Sequence, residues 1–378
     1  MADNKSEAIK KHRQLNGKIE VRSKGKISTL KDLSIYYTPG VGAVSKYIAD
    51  NPQEFRNLTI KKNTVAVVTD GSAVLGLGNI GPYAALPVME GKAQLFKELA
   101  NIDAFPICLD TQDTEEIIRT VKNIAPVFGG INLEDIAAPR CFEIEERLKA
   151  ELDIPVMHDD QHGTAVAVLA GIINSLSIVQ KSYTTIRVVI LGAGAAGVAI
   201  SKLLLLYGIR NIVVVDSKGI VSKSRFDLNN SKKELAKITN PDNLGGDLRK
   251  AMIGADVFIG VAGPNLVTKE DIRSMNSGPI VFSMANPVPE ILPSVAKKGG
   301  ALIVATGRSD FPNQLNNALC FPGIFRGALD HQVSQITDEM KILAAENLAS
   351  LVKKPTPNQI IPNVFDPKVV PAVARAIA

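Results

Sequence analysis

The chain is poor in cysteine, and this argues against two kinds of stabilising site. Its 378 residues include only Cys108, Cys141 and Cys320. The three thiols lie far apart, are odd in number and show no Cys-x-x-Cys spacing, so neither a disulfide framework nor a thiolate zinc site is indicated. We interpret them as buried thiols.

Long apolar segments are also scarce. No apolar run approaches the roughly 20 residues that span a bilayer, and the N-terminus lacks the apolar core of a secretory signal. The 46% hydrophobic and 21% charged fractions are those of an ordinary globular protein, and the length allows two domains. We therefore expect a cytoplasmic protein without a membrane partner.

A modest basic excess gives a net charge of +5, much of it from residues 5–31. Aromatic residues do not interleave with these lysines whereas acidic residues do, so a solvated surface segment is favoured over a nucleic-acid site. A mild positive field also attracts a dicarboxylate. We expect no nucleic-acid partner.

Short β-branched runs alternate with helical patterns, which favours parallel sheets and an α/β fold. An apolar stretch at 165–173 predicts a buried helix at a domain junction, and residues from Ile336 on are predicted to be helical with one break at 354–358. Strands are predicted first at 64–69, 104–109, 126–131 and 154–157, around a helix at about 87–99. A second, doubly wound series is predicted at 187–191, 212–215, 257–261, 280–284 and 301–305, with helices at 197–207 and 246–253.

The turn Gly192-Ala193-Gly194-Ala195-Ala196-Gly197 follows one predicted strand and opens a predicted helix. Gly192 permits a tight turn, Gly194 lets the backbone approach a pyrophosphate, and Gly197 lets the helix pack on the strand. The helix N-terminus then faces the phosphates. A lone glycine triplet is weak, but this context predicts dinucleotide binding.

The end of the next predicted strand bears on the choice between NAD and NADP. Asp216 lies 19 residues after Gly197, where a carboxylate bonds the adenosine ribose, and this favours NAD. Ser217 and Lys218 offer a contact to a 2′-phosphate instead, so NADP stays open, and Asp216 can also be a plain strand-end turn residue. The nicotinamide side of the crevice is predicted to be lined by Val261, Ala262 and Gly263.

Two acidic pairs follow predicted strands. Glu134 and Asp135 come after a strand ending at Ile131, and Asp159 and Asp160 after one ending at Met157. Because parallel strands end at the same edge of a sheet, we expect the pairs to converge there. Their mutual repulsion calls for a cation, and oxygen ligands favour Mg²⁺ or Mn²⁺.

Two other interpretations of this region stay open. His158 and His162 have the spacing of transition-metal ligands, although a flanking glycine and a strand end make a shared helical face unfavourable. Helix N-capping by Asp135 and Asp160 explains one residue of each pair but not both.

In this order, these motifs resemble the malic enzyme family, and the likeness extends over nearly the whole chain. Further segments agree with it: Ile35-Tyr36-Tyr37-Thr38-Pro39-Gly40-Val41-Gly42, Val67-Val68-Thr69-Asp70-Gly71-Ser72, Leu75-Gly76-Leu77-Gly78-Asn79-Ile80-Gly81, Met89-Glu90-Gly91-Lys92, Met284-Ala285-Asn286-Pro287 and Asn316-Asn317-Ala318-Leu319-Cys320-Phe321-Pro322-Gly323.

The resemblance implies a role for each matching residue. Lys92 is the implied base, with Asp159 as its partner, and Tyr37 is the implied general acid. Without the resemblance, Lys92 would be interpreted as a surface lysine and Tyr37 as a core aromatic. The implied metal ligands are Glu134, Asp135 and Asp160, and the implied substrate contacts are Asn286, which also borders the cofactor, and Asn317.

The resemblance also implies the architecture and the reaction. An N-terminal α/β malic-type domain is expected over residues 1–162, and a doubly wound Rossmann-like NAD(P)-binding domain with C-terminal helices over 163–378. The implied reaction is oxidative decarboxylation of L-malate to pyruvate and CO₂ with reduction of NAD(P) and a divalent metal, with oxaloacetate decarboxylation beside it. A homodimer or higher homo-oligomer is expected.

The chain departs from part of the family. Large eukaryotic members carry an arginine after the Asp-Gly pair, where this chain has Ser72-Ala73-Val74, so another group must hold that substrate carboxylate. The length is that of the small bacterial form without a phosphotransacetylase-like extension. Two alternatives to this function stay open: a hydroxy-acid dehydrogenase that stops at the keto acid, and a catalytically inactive nucleotide-binding regulator.

Overall fold

The computed structural model describes residues 2–74 and 76–378, so Leu75 of the glycine-rich segment lies outside the described residues. Two mainly parallel sheets, flanked by helices, form an α/β fold.

The N-terminal helices are α1 (Ala2–Leu15), α2 (Leu30–Tyr36), α3 (Gly40–Asp50) and α4 (Phe55–Leu58). Those of the first sheet and the junction are α5 (Gly81–Ala100), α6 (Thr114–Ile124), α7 (Arg140–Glu151) and α8 (Asp159–Val179). The remaining helices are α9 (Ala195–Tyr207), α10 (Asn230–Ile238), α11 (Leu248–Met252), α12 (Lys269–Arg273), α13 (Pro293–Lys298), α14 (Phe321–His331), α15 (Asp338–Ser350) and α16 (Val369–Ala374).

The first sheet has four parallel strands in the order β2-β1-β3-β4. Its centre is apolar on both faces because helices cover both, and every residue of the β-branched run Thr64–Thr69 is buried. The strands are β1 (Thr64–Thr69), β2 (Asp103–Cys108), β3 (Gly130–Leu133) and β4 (Val156–His158).

The second sheet has six strands in the order β10-β9-β8-β5-β6-β7. The chain leaves β5 in one direction to β6 and later returns on its other side with β8, which creates the switch point of a doubly wound sheet. The strands are β5 (Arg187–Leu191), β6 (Asn211–Asp216), β7 (Gly219–Ile220), β8 (Val257–Gly260), β9 (Ile280–Ser283) and β10 (Ile303–Thr306).

The structure corrects several local predictions, including the C-terminal segment, whose helices α15 and α16 are separated by a longer stretch than the predicted break at 354–358. The strand predicted at 126–131 starts only at Gly130, because Pro126 lies in a 3₁₀ turn, Ala125–Val127, and has no N–H for a strand ladder. Helix α5 begins six residues before the predicted 87, and Pro87 lies inside it. The two-residue strand β7, antiparallel to β6, was not predicted.

Helix α8 corrects the expectation that no apolar segment is long enough to span a bilayer. It has 21 residues with a mean hydropathy of 1.6 over its most apolar window, enough by length and composition to cross a membrane. However, 67% of that window is buried inside the protein, as in a core helix. The predicted boundary between residues 162 and 163 falls within this unbroken helix, and the division into two domains stays a prediction.

The C-terminal helices return to the first sheet. The rings of Phe321 and Phe325 on α14 lie with their centroids 4.7 Å and 5.5 Å from that of Phe96 on α5, both in edge-to-face geometry. One continuous apolar core therefore runs from β1 to the C-terminal helices.

Candidate active site

Two loops and the first turn of α8 meet at the carboxyl edge of the first sheet. They follow β1, β3 and β4, and backbone hydrogen bonds tie them together: the Ala73 N–H donates to the Asp135 carbonyl at 2.9 Å, and the Asp135 N–H to Asp160 Oδ2 at 2.8 Å. The parallel register of the three strands brings these sequence-distant segments together.

Glu134, Asp135 and Asp160 form a compact carboxylate trio. One oxygen from each lies within 4.8 Å of the others, and Glu134 and Asp135 are each only 2% exposed. Hard oxygen donors at this spacing fit Mg²⁺ or Mn²⁺. The structure thus brings together the three residues predicted to hold a metal.

Lys92 lies directly beside the trio. Its ammonium pairs with Glu134 Oε1 at 3.0 Å and with Asp159 Oδ2, and lies 4.3 Å from the centroid of the Phe321 ring. Lys92 is 8% exposed and Asp159 fully buried. The surface-lysine interpretation of Lys92 is therefore wrong: the residue faces inward from α5.

The electrostatics of this cluster are dominated by burial and by surplus negative charge. Burial by itself lowers the pKa of Lys92, but the carboxylates of Asp159, Glu134 and Asp160 outweigh it and raise that pKa. Burial raises the pKa of Asp159 and, aided by the neighbouring aspartates, lifts the pKa of Glu134 well above its ordinary value. Four carboxylates around one ammonium leave a surplus of negative charge that a divalent cation would largely offset.

Neither alternative interpretation of the acidic region fits. His162 Nε2 lies 3.0 Å from Glu145 Oε2, and the buried His158 ring lies with Nε2 3.5 Å from Asp160 Oδ2. The candidate metal group contains neither histidine among the residues that the structure describes. Capping also fails, because Pro139 and His158, not the aspartates, occupy the N-cap positions of α7 and α8.

Large eukaryotic family members carry an arginine in the loop after β1, where this chain has Ser72-Ala73-Val74. An arginine from another element lies beside this loop. Arg140, the first residue of α7, donates from Nη2 to Asp70 Oδ2 at 2.6 Å and to Ser72 Oγ at 3.2 Å. Asp70 is 1% exposed, so its charge is matched by this guanidinium. Sequence reasoning missed Arg140, since its partners are 70 and 68 residues away.

The dinucleotide turn has the geometry that its sequence predicts. Gly192 has φ +120°, and a Cβ there would lie 2.7 Å from the Val261 carbonyl oxygen. A Cβ at Gly197 would lie 1.8 Å from the Gly192 carbonyl oxygen, whereas Gly194 faces open space. Only glycine fits the first and third positions, and the second leaves room for a ligand.

A crevice of about 850 Å³ opens in front of this turn. It is bordered by the loop after β8 and, on the side of the first sheet, by Pro139 and Phe142. Helix α9 points its N-terminus into the crevice, where backbone N–H groups suit phosphate. Predicted cofactor residues that line it are Gly192, Gly194, Asp216, Ser217, Lys218, Ala262 and Gly263.

Asp216 is more than a strand-end turn residue. Its Oδ1 accepts from Arg225 Nη1 at 2.7 Å and its Oδ2 from Lys232 Nζ at 2.6 Å. Burial opposes ionisation, but these bonds hold the pKa of Asp216 below its ordinary value. The carboxylate is thus charged and already neutralised by two cations that the sequence analysis did not single out.

The two predicted substrate asparagines lie in separate loops. A Cβ at Gly163 on α8 would lie 3.0 Å from Asn317 Cβ, so Asn317 is next to the turn that carries Asp159. Asn286 follows β9, and its Nδ2 lies 2.7 Å from where a Cβ on Gly307 would be.

Tyr37 lies apart from this cluster. It caps the C-terminus of α2 and is 64% exposed. The preceding Tyr36 ring packs on Gly25, and Lys24 pairs at 3.9 Å with Asp103, which begins β2. These contacts tie the region to the amino end of the first sheet, whereas the Lys92 ammonium faces the carboxyl edge. The core-aromatic interpretation of Tyr37 is therefore wrong.

Comparison with known proteins identifies the family. Residues 16–149 match the family described as malic enzyme, N-terminal domain, and residues 161–378 match malic enzyme, NAD binding domain. The chain belongs to the malic enzyme family. Within the family, the NAD-dependent malic enzyme of Geobacillus stearothermophilus is 59% identical over 96% of this chain and 76% of its own length.

Two further family members support the comparison. The NADP-dependent malic enzyme of Halomonas elongata is 47% identical over 91% of this chain and 82% of its own length. The crystal structure of the NAD-dependent malic enzyme of Thermotoga maritima superposes with a TM-score of 0.95 at 51% identity, covering 98% of both chains. Members with either cofactor are thus similar to this chain.

Proposed function

We propose that this malic enzyme family member catalyses the oxidative decarboxylation of L-malate to pyruvate and CO₂, with NAD(P) as the hydride acceptor. The observation that carries the proposal is the buried Lys92 between Asp159 and Glu134, beside a carboxylate trio and a glycine-bordered crevice. A hydroxy acid needs a base at its hydroxyl, charge stabilisation at the same oxygen, and a hydride acceptor, and these groups supply all three.

Lys92 is the proposed proton acceptor for the 2-hydroxyl of malate. When bound at Glu134, Asp135 and Asp160, a divalent cation would polarise that hydroxyl and later stabilise enolate charge on the same oxygen. A cation on the trio would offset the attraction of Glu134 and Asp160 for the proton on Lys92 and so lower the pKa of Lys92, while Asp159 continues to raise it. Asp159 keeps the Nζ atom in place throughout.

The remaining polar residues orient the substrate and cofactor. Asn286 and Asn317 offer amide groups to the malate carboxylates, and each is partly buried. Asp216 favours NAD because a carboxylate at this position would bond the ribose hydroxyls, whereas Arg225 and Lys232, which contact its two oxygens, could also attract the 2′-phosphate of NADP. We propose NAD as the preferred cofactor.

The N-terminal helices support a homodimer. Among the described residues, no side chain of α2 or α3 is buried, and apolar groups such as Leu30, at 86% exposed, face outward. Helices of 7 and 11 residues need a covering surface to be stable. We propose that a second copy of the chain covers this hairpin and receives Tyr37 at its own cluster, where the phenol donates the proton that C3 of the product needs.

We propose that the enzyme is a cytoplasmic metabolic protein. Malate is small and anionic, and the mild positive charge of the chain attracts it without a nucleic-acid or membrane partner.

The proposal is tested by a turnover assay with L-malate that crosses NAD and NADP with Mn²⁺ and a chelator. We expect nicotinamide reduction, pyruvate and CO₂ in equal amounts, all abolished by chelation. Reduced cofactor with a keto acid but no CO₂ would indicate a simple hydroxy-acid dehydrogenase. Cofactor binding without turnover would indicate an inactive regulator.

A further inference from the structure

Glu145 on α7 is a buried carboxylate that the proposed reaction does not use. It is only 5% exposed. Cys141, Ile144 and Leu148 share its helix face and are fully buried, so an acidic side chain interrupts an apolar face. A charge in such a position requires partners, and its partners show what it does.

Glu145 has three contacts with the β4–α8 junction, one to a backbone N–H and two to side chains, and all come from residues that flank the acidic pair. The His158 N–H donates to Oε1 at 3.0 Å, and Gln161 Nε2 donates to Oε2 at 3.0 Å. His162 Nε2 lies 3.0 Å from Oε2. Lys149, one turn along α7, adds an ion pair at 3.0 Å.

These contacts bracket Asp159 and Asp160. His158 ends β4 and α8 begins at Asp159. The orientation of the Asp159 and Asp160 side chains therefore depends on the geometry of this strand-to-helix junction. One carboxylate holds this junction on both sides of the pair, through a backbone N–H before it and two side chains after it. A rotation of the first turn of α8 would move both aspartate side chains at once.

We infer that Glu145 is a positioning residue for the divalent-cation site, which it serves by fixing the strand-to-helix junction that carries Asp159 and Asp160. The inference rests on the proposed function, because it concerns the cation site of that function. It also gives the His162 ring a role at the junction, through its contact with Glu145.

The test is the substitution Glu145→Gln, which keeps the shape of the side chain. The amide replaces one acceptor oxygen by an NH₂ group, which is a donor. Depending on which oxygen is replaced, this group faces either the donors of His158 and Lys149 or those of Gln161 and His162, and those contacts are lost. We expect the Kd for Mn²⁺, measured by calorimetry without substrate, to rise about 10- to 100-fold, as for other residues that orient metal ligands. The Kd for NADH, measured by its fluorescence, should not change.

The matched control is Glu146→Gln, because Glu146 is the next residue of α7 and is exposed. It removes the same charge and should leave Mn²⁺ affinity unchanged. In kinetics, Glu145→Gln should raise the Mn²⁺ concentration for half-maximal rate, and kcat should recover at saturating Mn²⁺. A general loss of structure would lower kcat and NADH affinity together.

Three results would overturn the inference. The first is a folded Glu145→Gln protein with unchanged Mn²⁺ affinity, and the second is an equal loss of Mn²⁺ and NADH affinity. If Glu145→Gln does not fold, the variant Gln161→Leu is used instead, because it removes one donor to Glu145 and keeps the carboxylate. The third contradicting result is an unchanged Mn²⁺ affinity of Gln161→Leu. Failure of the unmodified protein to bind Mn²⁺ would instead overturn the proposed cation site, and the inference with it.

Discussion

Gly163 shows how closely single residues are fitted at the cluster. A Cβ at this position would lie 1.9 Å from Asp159 Oδ1, so the carboxylate that holds Lys92 occupies the space that any other residue would fill. Glycine inside a helix ordinarily costs about 1 kcal/mol relative to alanine. Here that cost is offset by room for Asp159.

We predict that Gly163→Ala inactivates the protein without unfolding it. The methyl group displaces Asp159 from Lys92, and kcat should fall on the order of 100-fold, as expected for a catalytic group misplaced by about 1 Å. The control is Gly171→Ala in the same helix, where a Cβ would meet Leu315 and Phe282 carbons at 3.0 and 3.2 Å. That variant should change the melting temperature and keep the activity. A near-normal kcat for Gly163→Ala would contradict this account.

Much of the candidate site was predictable at the residue scale because its acids follow strands of one parallel sheet. The pairs beginning at Glu134 and Asp159 converge as expected. Arg140 and Glu145 were not predicted, since their partners lie on other elements. For Glu145 a signal existed: it continues the spacing of Cys141 and Ile144 on the buried face of α7.

At the scale of secondary structure, Asp256 ties three elements of the second sheet together. It precedes β8, accepts the N–H of Arg187 at the start of β5 at 2.8 Å, and pairs with Lys181 after α8 at 2.7 Å. Burial would raise the pKa of Asp256, but these bonds outweigh it and lower the pKa. The carboxylate therefore stabilises the fold above the unfolded-state pKa, about 3.9, and this contribution is lost as the pH falls through the lower folded-state pKa.

We predict a pH-dependent effect of Asp256→Asn on stability. At pH 7 the melting temperature should drop by a few degrees, because the charged partners lose their carboxylate. The difference from the unmodified protein should shrink below about pH 4, where Asp256 is protonated first in the unfolded chain and then, at its lower pKa, in the folded protein. Asp242→Asn, at an exposed aspartate, should match the unmodified protein at each pH. A constant difference from pH 7 to pH 3 would show that the charge is not the cause.

Elements with a strong local pattern were predicted most accurately. Residues 64–69 and 187–191 form strands with the predicted bounds. Helix α5 was predicted too short, because Pro87 was read as its start whereas the glycine-rich loop already ends at Gly81. A local signal for the true start was missed, because Pro82 lies in the first turn of α5, a position that proline favours.

For the whole molecule, the proposed dimer would link assembly to catalysis through Tyr37. If the hairpin of α2 and α3 reaches a second copy, each active site combines Lys92 from one chain with Tyr37 from the other. Such an arrangement cannot be inferred from sequence order, because the motif around Tyr37 is the same whether it acts within its own chain or across the interface.

We predict that two inactive variants restore activity when they are co-expressed. Lys92→Ala and Tyr37→Phe each lack one group of every site, but a mixed dimer contains one site with both. Random pairing should recover about a quarter of the native activity. If dimers form and the mixture stays as inactive as its parents, Tyr37 acts within its own chain or not at all.

The central claim is that Glu134, Asp135 and Asp160 hold one divalent cation beside Lys92. Its most direct test is anomalous diffraction from crystals grown with Mn²⁺ at a concentration that supports turnover. The account predicts one manganese peak between the three carboxylates, at about 2.1 Å from an oxygen of each. A peak at His158 and His162, or none between the carboxylates, would contradict it.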